Sequence, residues 1–314
     1  MTEPQQGLSY QEILDLARAA ETAGFEAFFR SDHYASFPGG AGLPTTDAWA
    51  TIAGLARETT RINLGVLVSP VTFRSPGNLA KVIATAAEMS DGRVEVGLGA
   101  GWNVPEHHQH GLAFPDGRER FDMLQEQLAI VHGLWTEPDG WSYAGKHWQV
   151  SDALFRPRPV AAAGLKHPNL IVGGEAKPRM AALVAQHADE INITSATPAS
   201  ATAGYARVAD ACRAIGRDPD SVTRSAMTGV LVGRDESEVA RRADALLTSV
   251  NSSDGNDAQQ WLAERRRRWV FGTPEQARAR VAELADAGVE RVMLQTFLPR
   301  DREMVALLGE IFIS

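Results

Sequence analysis

The chain has 314 residues, 31 Lys and Arg against 39 Asp and Glu, a formal net charge of −8, and a single cysteine, Cys212. The acidic balance excludes a general nucleic-acid binder, which needs a basic footprint; the lone thiol excludes an internal disulfide and points to a reducing, cytoplasmic setting. No apolar run reaches the roughly 18 residues of a membrane helix, and the polar stretch from Met1 to Leu8 has no signal-peptide core.

Tyr10, Ile13, Leu14, Ala17 and Ala20 recur at helical spacing, and Gly24 stops that helix. Phe25 to Phe29 follows as a short apolar strand. Asp47 can cap a helix through Trp49, Ile52 and Leu55, and Ile62 to Val68 is a strand apolar enough to be buried on both faces. Pro76 opens a helix through Leu79, Val82 and Ile83, before the strand Val94 to Leu98. Arg118 to Trp135 is a long amphipathic helix, and Trp141 to Val150 alternates around Ala144-Gly145-Lys146 as a β-hairpin. Three strand and helix pairs follow: Leu170 to Val172 with Pro178 to His187, Glu190 to Thr194 with Ser200 to Ile215, and Thr223 to Val232 with Glu236 to Leu247. Asn251 to Asp257 is expected to be a mobile polar loop. Glu264 to Arg268, with four consecutive arginines, suits a solvated helix face, or else a contact for an anionic tail or a subunit. Thr273-Pro274-Glu275-Gln276 starts a helix that ends at Gly288; the strand Arg291 to Leu294 and the helix Met304 to Phe312 close the chain.

Seven strands alternating with helices imply a parallel sheet, either open and doubly wound or closed as a barrel. An eighth strand ahead of the first helix would complete a barrel, and Met1 to Gln6 is short and polar for that role. The expectation is one α/β domain over residues 1–314: a (β/α)8 TIM barrel with insertions, its first strand short or missing. The first position is then taken by a stub, or the true start lies upstream.

Ligands of such a barrel bind at the C-terminal ends of the strands. After the first predicted strand come Asp32, His33 and Tyr34. His33 can exchange a proton near neutral pH and Asp32 can orient a ring, although a structural loop pair is the plainer account of the two. Ser69 to Arg74 could form an apolar wall for a flat ring, or simply pack. Gly99-Ala100-Gly101-Trp102-Asn103 permits close backbone approach; without a third glycine and a following helix it is no dinucleotide fingerprint. Gly173-Gly174 leads into a helix start with Lys177 and Arg179, a natural phosphate seat or an ordinary turn with exposed bases. Glu106, His107, His108 and His110 look like metal ligands, but no matching group stands elsewhere. No metal is expected, and Glu106 and His107 suit a substrate pocket better. There is no Gly-x-Ser-x-Gly elbow and no P-loop.

Taken together, Gly24-Phe25, Ser31-Asp32-His33-Tyr34, Leu64 to Arg74, Gly92 to Asn103, Glu106-His107, Glu119-Arg120-Phe121, Leu134-Trp135, Ile171 to Gly174 and Ala188 to Asn192 resemble the luciferase-like monooxygenase family. The order of these motifs, from Leu8 to Leu294, is more specific than any one of them. The resemblance implies a (β/α)8 barrel, a homodimer, and an oxidoreductase acting on a small molecule, in the branch that uses coenzyme F420; other members use FMN. It implies that Asp32 and His33 flank the reactive ring, with His33 the acid/base, and that Leu67-Val68 is a non-proline cis peptide backing it. It implies further that Gly99, Ala100, Gly101, Trp102 and Asn103 contact the ring or its side chain, that Gly173 and Gly174 hold the phosphate, and that Tyr34, Glu106 and His107 line the substrate side. The rival readings are an FMN-dependent monooxygenase and a barrel without cofactor that serves as a binding or interaction protein.

Overall fold

The computed structural model describes residues 1–37, 42–249 and 258–313. Helix α1 (Tyr10–Thr22) begins with a capping box: Ser9 Oγ accepts from the Glu12 N–H at 3.3 Å, and Glu12 accepts from the Ser9 N–H at 2.8 Å. Its buried stripe is Ile13, Leu14, Leu16, Ala17 and Ala20, and Gly24 at φ +89° turns the chain into β1 (Ala27–Arg30). Next come α2 (Ala48–Glu58), β2 (Asn63–Pro70), α3 (Pro76–Met89) and β3 (Val94–Gly99). An insertion follows, made of α4 (Val104–Gln109), α5 (Gly117–Thr136) and the antiparallel hairpin β4 (Trp141–Ala144) with β5 (Gln149–Ala153). Glu126 of α5 secures the hairpin, accepting from the backbone N–H groups of Lys146, His147 and Trp148 at 2.7, 2.9 and 3.0 Å.

The alternation then resumes with β6 (Asn169–Gly174), α6 (Pro178–His187), β7 (Glu190–Ile193), α7 (Pro198–Ala214) and β8 (Thr223–Val232). It ends with α8 (Glu236–Ser249), α9 (Ala258–Arg268), β9 (Val270–Gly272), α10 (Pro274–Asp286), β10 (Arg291–Gln295) and α11 (Arg302–Phe312). Strands β1, β2, β3, β6, β7, β8 and β10 pair in that order, all parallel. These are the seven expected strands. The three-residue β9, which pairs with the upper half of β8, was not expected, being too short for periodicity to register.

Backbone bonds from Met1 and Thr2 span the remaining gap. The Thr2 N–H donates to Phe29 O at 2.9 Å, the Ser31 N–H to Thr2 O at 3.2 Å, and the Thr296 N–H to Met1 O at 3.0 Å. A stub therefore takes the first barrel position, joined to β1 on one side and to the end of β10 on the other. Below it, a cavity of ≈ 460 Å³ lies between β1 and β10, lined by side chains such as Leu16, Phe28, Val289, Met304 and Leu308. Cys212 is buried on α7. Among the described residues no helix is long and apolar enough to cross a membrane. The polar stretch Asn251 to Asp257 lies outside the described residues.

Candidate active site

The loop after β1 is pinned before it contributes any chemistry. Arg30, fully buried, donates to Thr46 Oγ1 and Thr51 Oγ1 at 2.9 and 2.8 Å and to the carbonyls of Ser31 and Thr46, each at 2.9 Å. Burial lowers its pKa to about 10. Asp32, also buried, accepts from Ser69 Oγ at 3.0 Å and from Arg74 Nη1 at 2.5 Å. Arg74 also reaches Asp47 and Tyr34 Oη, and Tyr34 Oη donates to Asp47 at 2.7 Å. Burial opposes the Arg74 charge, but Asp32 and Asp47 outweigh it and raise the pKa. The Tyr34 ring stacks on Phe73 with centroids 4.5 Å apart. Asp32 and Tyr34 are thus saturated parts of one charged network that joins the loops after β1 and β2.

His33, between them, has a different partner. Its Nδ1 lies 3.0 and 3.1 Å from the two oxygens of Glu106, and that carboxylate also accepts from the Tyr34 N–H at 3.0 Å. A carboxylate on Nδ1 selects the tautomer that carries its hydrogen there, leaving a lone pair on Nε2. Among the described residues, Nε2 has no hydrogen-bond partner. Phe37 and Trp102 meet the imidazole ring edge-on at 4.4 and 5.8 Å, and Trp102 is 64% exposed at the rim.

Glu106 sits in the first turn of α4, which aims it back at the β1 loop. His107, the next residue, points the opposite way. Its Nδ1 is 2.7 Å from Asn103 O, its Nε2 is 2.6 Å from Thr72 Oγ1, and it is 0% exposed. The expectation that His107 lines a substrate pocket is therefore corrected: both ring nitrogens are engaged, and the residue packs beneath the loops. Asn103 is likewise buried.

The floor comes from β2. The Leu67-Val68 peptide is cis, and the β2–β3 register shifts between Val66 and Ser69. The half-buried Val68 fills space that glycines leave open. A Cβ on Gly99 would come within 2.6 Å of Val68 Cγ2, and one on Gly173 within 2.8 Å of Cγ1. A Cβ on Gly174 would meet Met180 Sδ at 2.7 Å. These glycines leave room for the side chains of Val68 and Met180. Gly101, at φ +75°, supplies a left-handed turn, and the carbonyl of Ala100 accepts from Arg120 Nε at 3.1 Å.

Beyond β6, Lys177 pairs with Glu175 at 2.8 Å, both strongly exposed. Lys177 lines a groove of ≈ 620 Å³ with Thr194, Thr197, Ser200 and Arg207, at the starts of α6 and α7. Arg179 is drawn away: it pairs with Asp122 of α5 and lies over Phe121. Of the two bases expected at a phosphate seat, Lys177 borders this groove and Arg179 turns to α5. Among the described residues no group of three or more His, Cys, Asp or Glu is placed to hold a metal ion.

Two roles escaped the sequence reading. Arg74 was visible only as the end of an apolar segment; an arginine there, with Asp32 and Asp47 nearby in the fold, was the available signal. Glu106 was picked out, but not as the partner of His33, 73 residues away.

A model of the luciferase-like monooxygenase family matches residues 1–291. The Mycobacterium tuberculosis protein Rv0953c is 34% identical over 188 residues, covering 55% of this chain and 64% of that protein. The F420-dependent glucose-6-phosphate dehydrogenase of Nakamurella multipartita is 34% identical over 151 residues, 48% of this chain and 43% of that one. The chain therefore spans roughly half to under two thirds of these relatives' length. Among solved structures, an F420-dependent secondary alcohol dehydrogenase in complex with an F420-acetone adduct superposes with TM-score 0.80 at 19% identity, covering 98% of this chain and 95% of that one. The monooxygenase RslO1 from Streptomyces bottropensis does so with TM-score 0.79 at 23% identity, covering 96% and 92%. At these identities the superpositions show a shared fold.

Proposed function

We propose, on the premise that this chain belongs to the luciferase-like monooxygenase family, that it is an oxidoreductase moving a hydride between coenzyme F420 and a small organic substrate. The observation that carries this reading is the His33–Glu106 pair, with Nε2 left unbonded among the described residues, at the strand ends where barrel chemistry is done.

The residues present fit such a cofactor. The half-buried Val68 offers an apolar floor for a flat ring. The groove beside Lys177, at two helix starts, suits an anionic tail. Bound F420 supplies a ring that takes up or gives back a hydride. In the oxidising direction, His33 Nε2 takes the hydroxyl proton of an alcohol as the hydride leaves the carbon, and the alcohol becomes a carbonyl. Glu106 holds Nδ1–H and balances the imidazolium that forms, while the Tyr34 N–H fixes the carboxylate. In the reducing direction the same nitrogen returns the proton. Asp32 acts as a positioning residue, through Ser69 and Arg74.

The fold shared with a monooxygenase keeps an FMN-dependent reading as the rival. Titrating the purified protein with F420 and with FMN, and following fluorescence quenching, separates the two. Tight F420 binding without FMN binding supports the proposal; the reverse replaces it.

A further inference from the structure

Glu3 is a buried acid that the proposed reaction does not use. It follows the stub, and the packing below it shows which way it faces. Met1 packs with Phe29 of β1, Leu67 of β2, Ile171 of β6 and Met293 of β10, a cluster drawn from opposite staves and therefore inside the barrel. Side chains two residues apart on a strand share a face. Glu3, Ser31 and Gln295, each two residues beyond a member of that cluster, form the next layer toward the mouth. The Glu3 carboxylate accepts from Gln5 Nε2 and from Gln295 Nε2, both at 2.6 Å. Among the described residues no cationic side chain pairs with it.

A carboxylate only accepts, so it dictates the direction of every bond beyond it. Both glutamines turn their amide N–H groups inward. Gln5 Oε1 is then left to face Ser31, whose hydroxyl donates to it at 2.7 Å. The Ser31 backbone is held as well: its N–H donates to Thr2 O at 3.2 Å, and its carbonyl accepts from Arg30 Nε at 2.9 Å. The flanking side chains face elsewhere, Arg30 to Thr46 and Thr51, Asp32 to Ser69 and Arg74. The loop that carries His33 is thus clamped from two sides. The Glu3 clamp stands where the sheet is thinnest, because among the described residues Met1 and Thr2 alone bridge the backbones of β1 and β10.

We propose that Glu3 is a positioning residue for His33. Through Gln295 and Gln5 it ties Ser31 to the end of β10, and Ser31 sets the root of the loop two residues before the imidazole. The inference rests on the oxidoreductase reading, which gives His33 Nε2 the proton. A carboxylate suits the place because a glutamine there would turn its own N–H group against one of the two amides, and the directed chain would break at that point.

The test reads the His33 ring directly, by NMR of the full chain carrying isotope-labelled histidine, with the signal identified by its loss in His33→Gln. The Nδ1–H held by Glu106 should give a signal protected from exchange with water. Glu3→Gln should speed that exchange about tenfold or more, the scale of one lost hydrogen bond. Ser31→Ala, which removes only the far end of the chain, should move it the same way, and the double variant no further than the larger single change. On the F420-loaded enzyme, kcat should fall about tenfold in Glu3→Gln with KM within about threefold, as when geometry and not binding is lost. No protected signal in the unaltered protein, an unmoved signal in folded Glu3→Gln, or an effect that Ser31→Ala does not share would each overturn the proposal. Should Glu3→Gln fail to fold, Ser31→Ala and Gln295→Met decide by the same signal. Failure of F420 to bind would sink the cofactor reading alone, because the NMR measurement needs no cofactor.

Discussion

At the N-terminal end of the barrel, Arg291 on β10 donates to both oxygens of Glu95 on β3 at 2.6 and 2.7 Å and to Glu190 on β7 at 3.1 Å. Asn169 joins the same two carboxylates at 2.9 Å each. Burial works against both acids. At Glu95, Arg291 and the two asparagine contacts overcome it and the pKa falls; at Glu190 burial prevails and the pKa rises. At the opposite end, Arg74 gathers Asp32, Asp47 and Tyr34 by the same device. Yet that end also holds His33, bonded among the described residues through one nitrogen only. The contrast separates two uses of buried polarity. A group saturated on every side holds strands and loops in place, while a ring bonded on one side leaves a nitrogen open, the place given to the proton in the proposed reaction.

The sharpest break of this contrast is Arg291→Met. It strands Glu95 beside Glu190 without a counter-charge and should cost about 3–5 kcal/mol of stability, read from urea unfolding. The molecules that remain folded should keep their catalytic competence; a loss under about 1 kcal/mol would show that water already relieves the Glu95–Glu190 cluster. His33→Ala is the complementary break. Turnover should fall about 100-fold, equivalent to about 2.7 kcal/mol on the barrier, with F420 affinity within a few-fold and the urea midpoint little changed. Unchanged turnover would remove His33 from the mechanism. Glu106→Gln sharpens the same point. Turnover should fall less than in His33→Ala, and the pH profile of kcat should shift, because the imidazolium loses its counter-charge. A Glu106 that merely braced the loop would leave that profile where it was.

Much of this architecture was legible in the residues because barrel strands are long apolar runs set between amphipathic helices. Ile62 to Val68 and Thr223 to Val232 announce themselves, and all seven full staves were found. The stub was foreseen as a gap, but its pairing through Met1 and Thr2 is a backbone event with no side-chain signature. At the mouth, the sequence located the loops but not the directions in which side chains leave them. His107 and Glu106 are neighbours on a six-residue helix, and one turns to the core while the other turns to His33. Arg179 was read as a phosphate ligand because its partner Asp122, 57 residues away, is invisible to local reasoning. That Val68 fills the space left by Gly99 and Gly173 has no signature along the linear sequence.

A smaller effect, read by pH, belongs to the N-terminal end of the barrel. His187, at the end of α6, lies near His132; burial first and then the His132 charge lower its pKa from 6.5 to about 4. Between those two values the unfolded chain binds more protons than the folded one, so stability rises with pH across the window and is lost on acidification. The size is on the order of 2–3 kcal/mol between pH 4 and pH 6.5, and His187→Gln should flatten that part of the curve. An unaltered slope in the variant would mean that another group titrates there.

The smallest change belongs to the outer rim of the mouth, where charges pair in open water. Lys177 and Glu175 are 75% and 70% exposed, so their 2.8 Å contact is screened and should contribute under about 1 kcal/mol to stability. If Lys177 serves a cofactor tail, it does so by partly exchanging Glu175 for the incoming anion, which limits the net gain. Lys177→Met should therefore weaken F420 binding only about two- to fivefold at low salt, and the difference should shrink as ionic strength rises. A loss of a hundredfold, or one indifferent to salt, would mean that this lysine is held in a desolvated contact when the ligand is bound. The rim would then belong with the buried networks on the β1 side of the mouth, not with the exposed pairs.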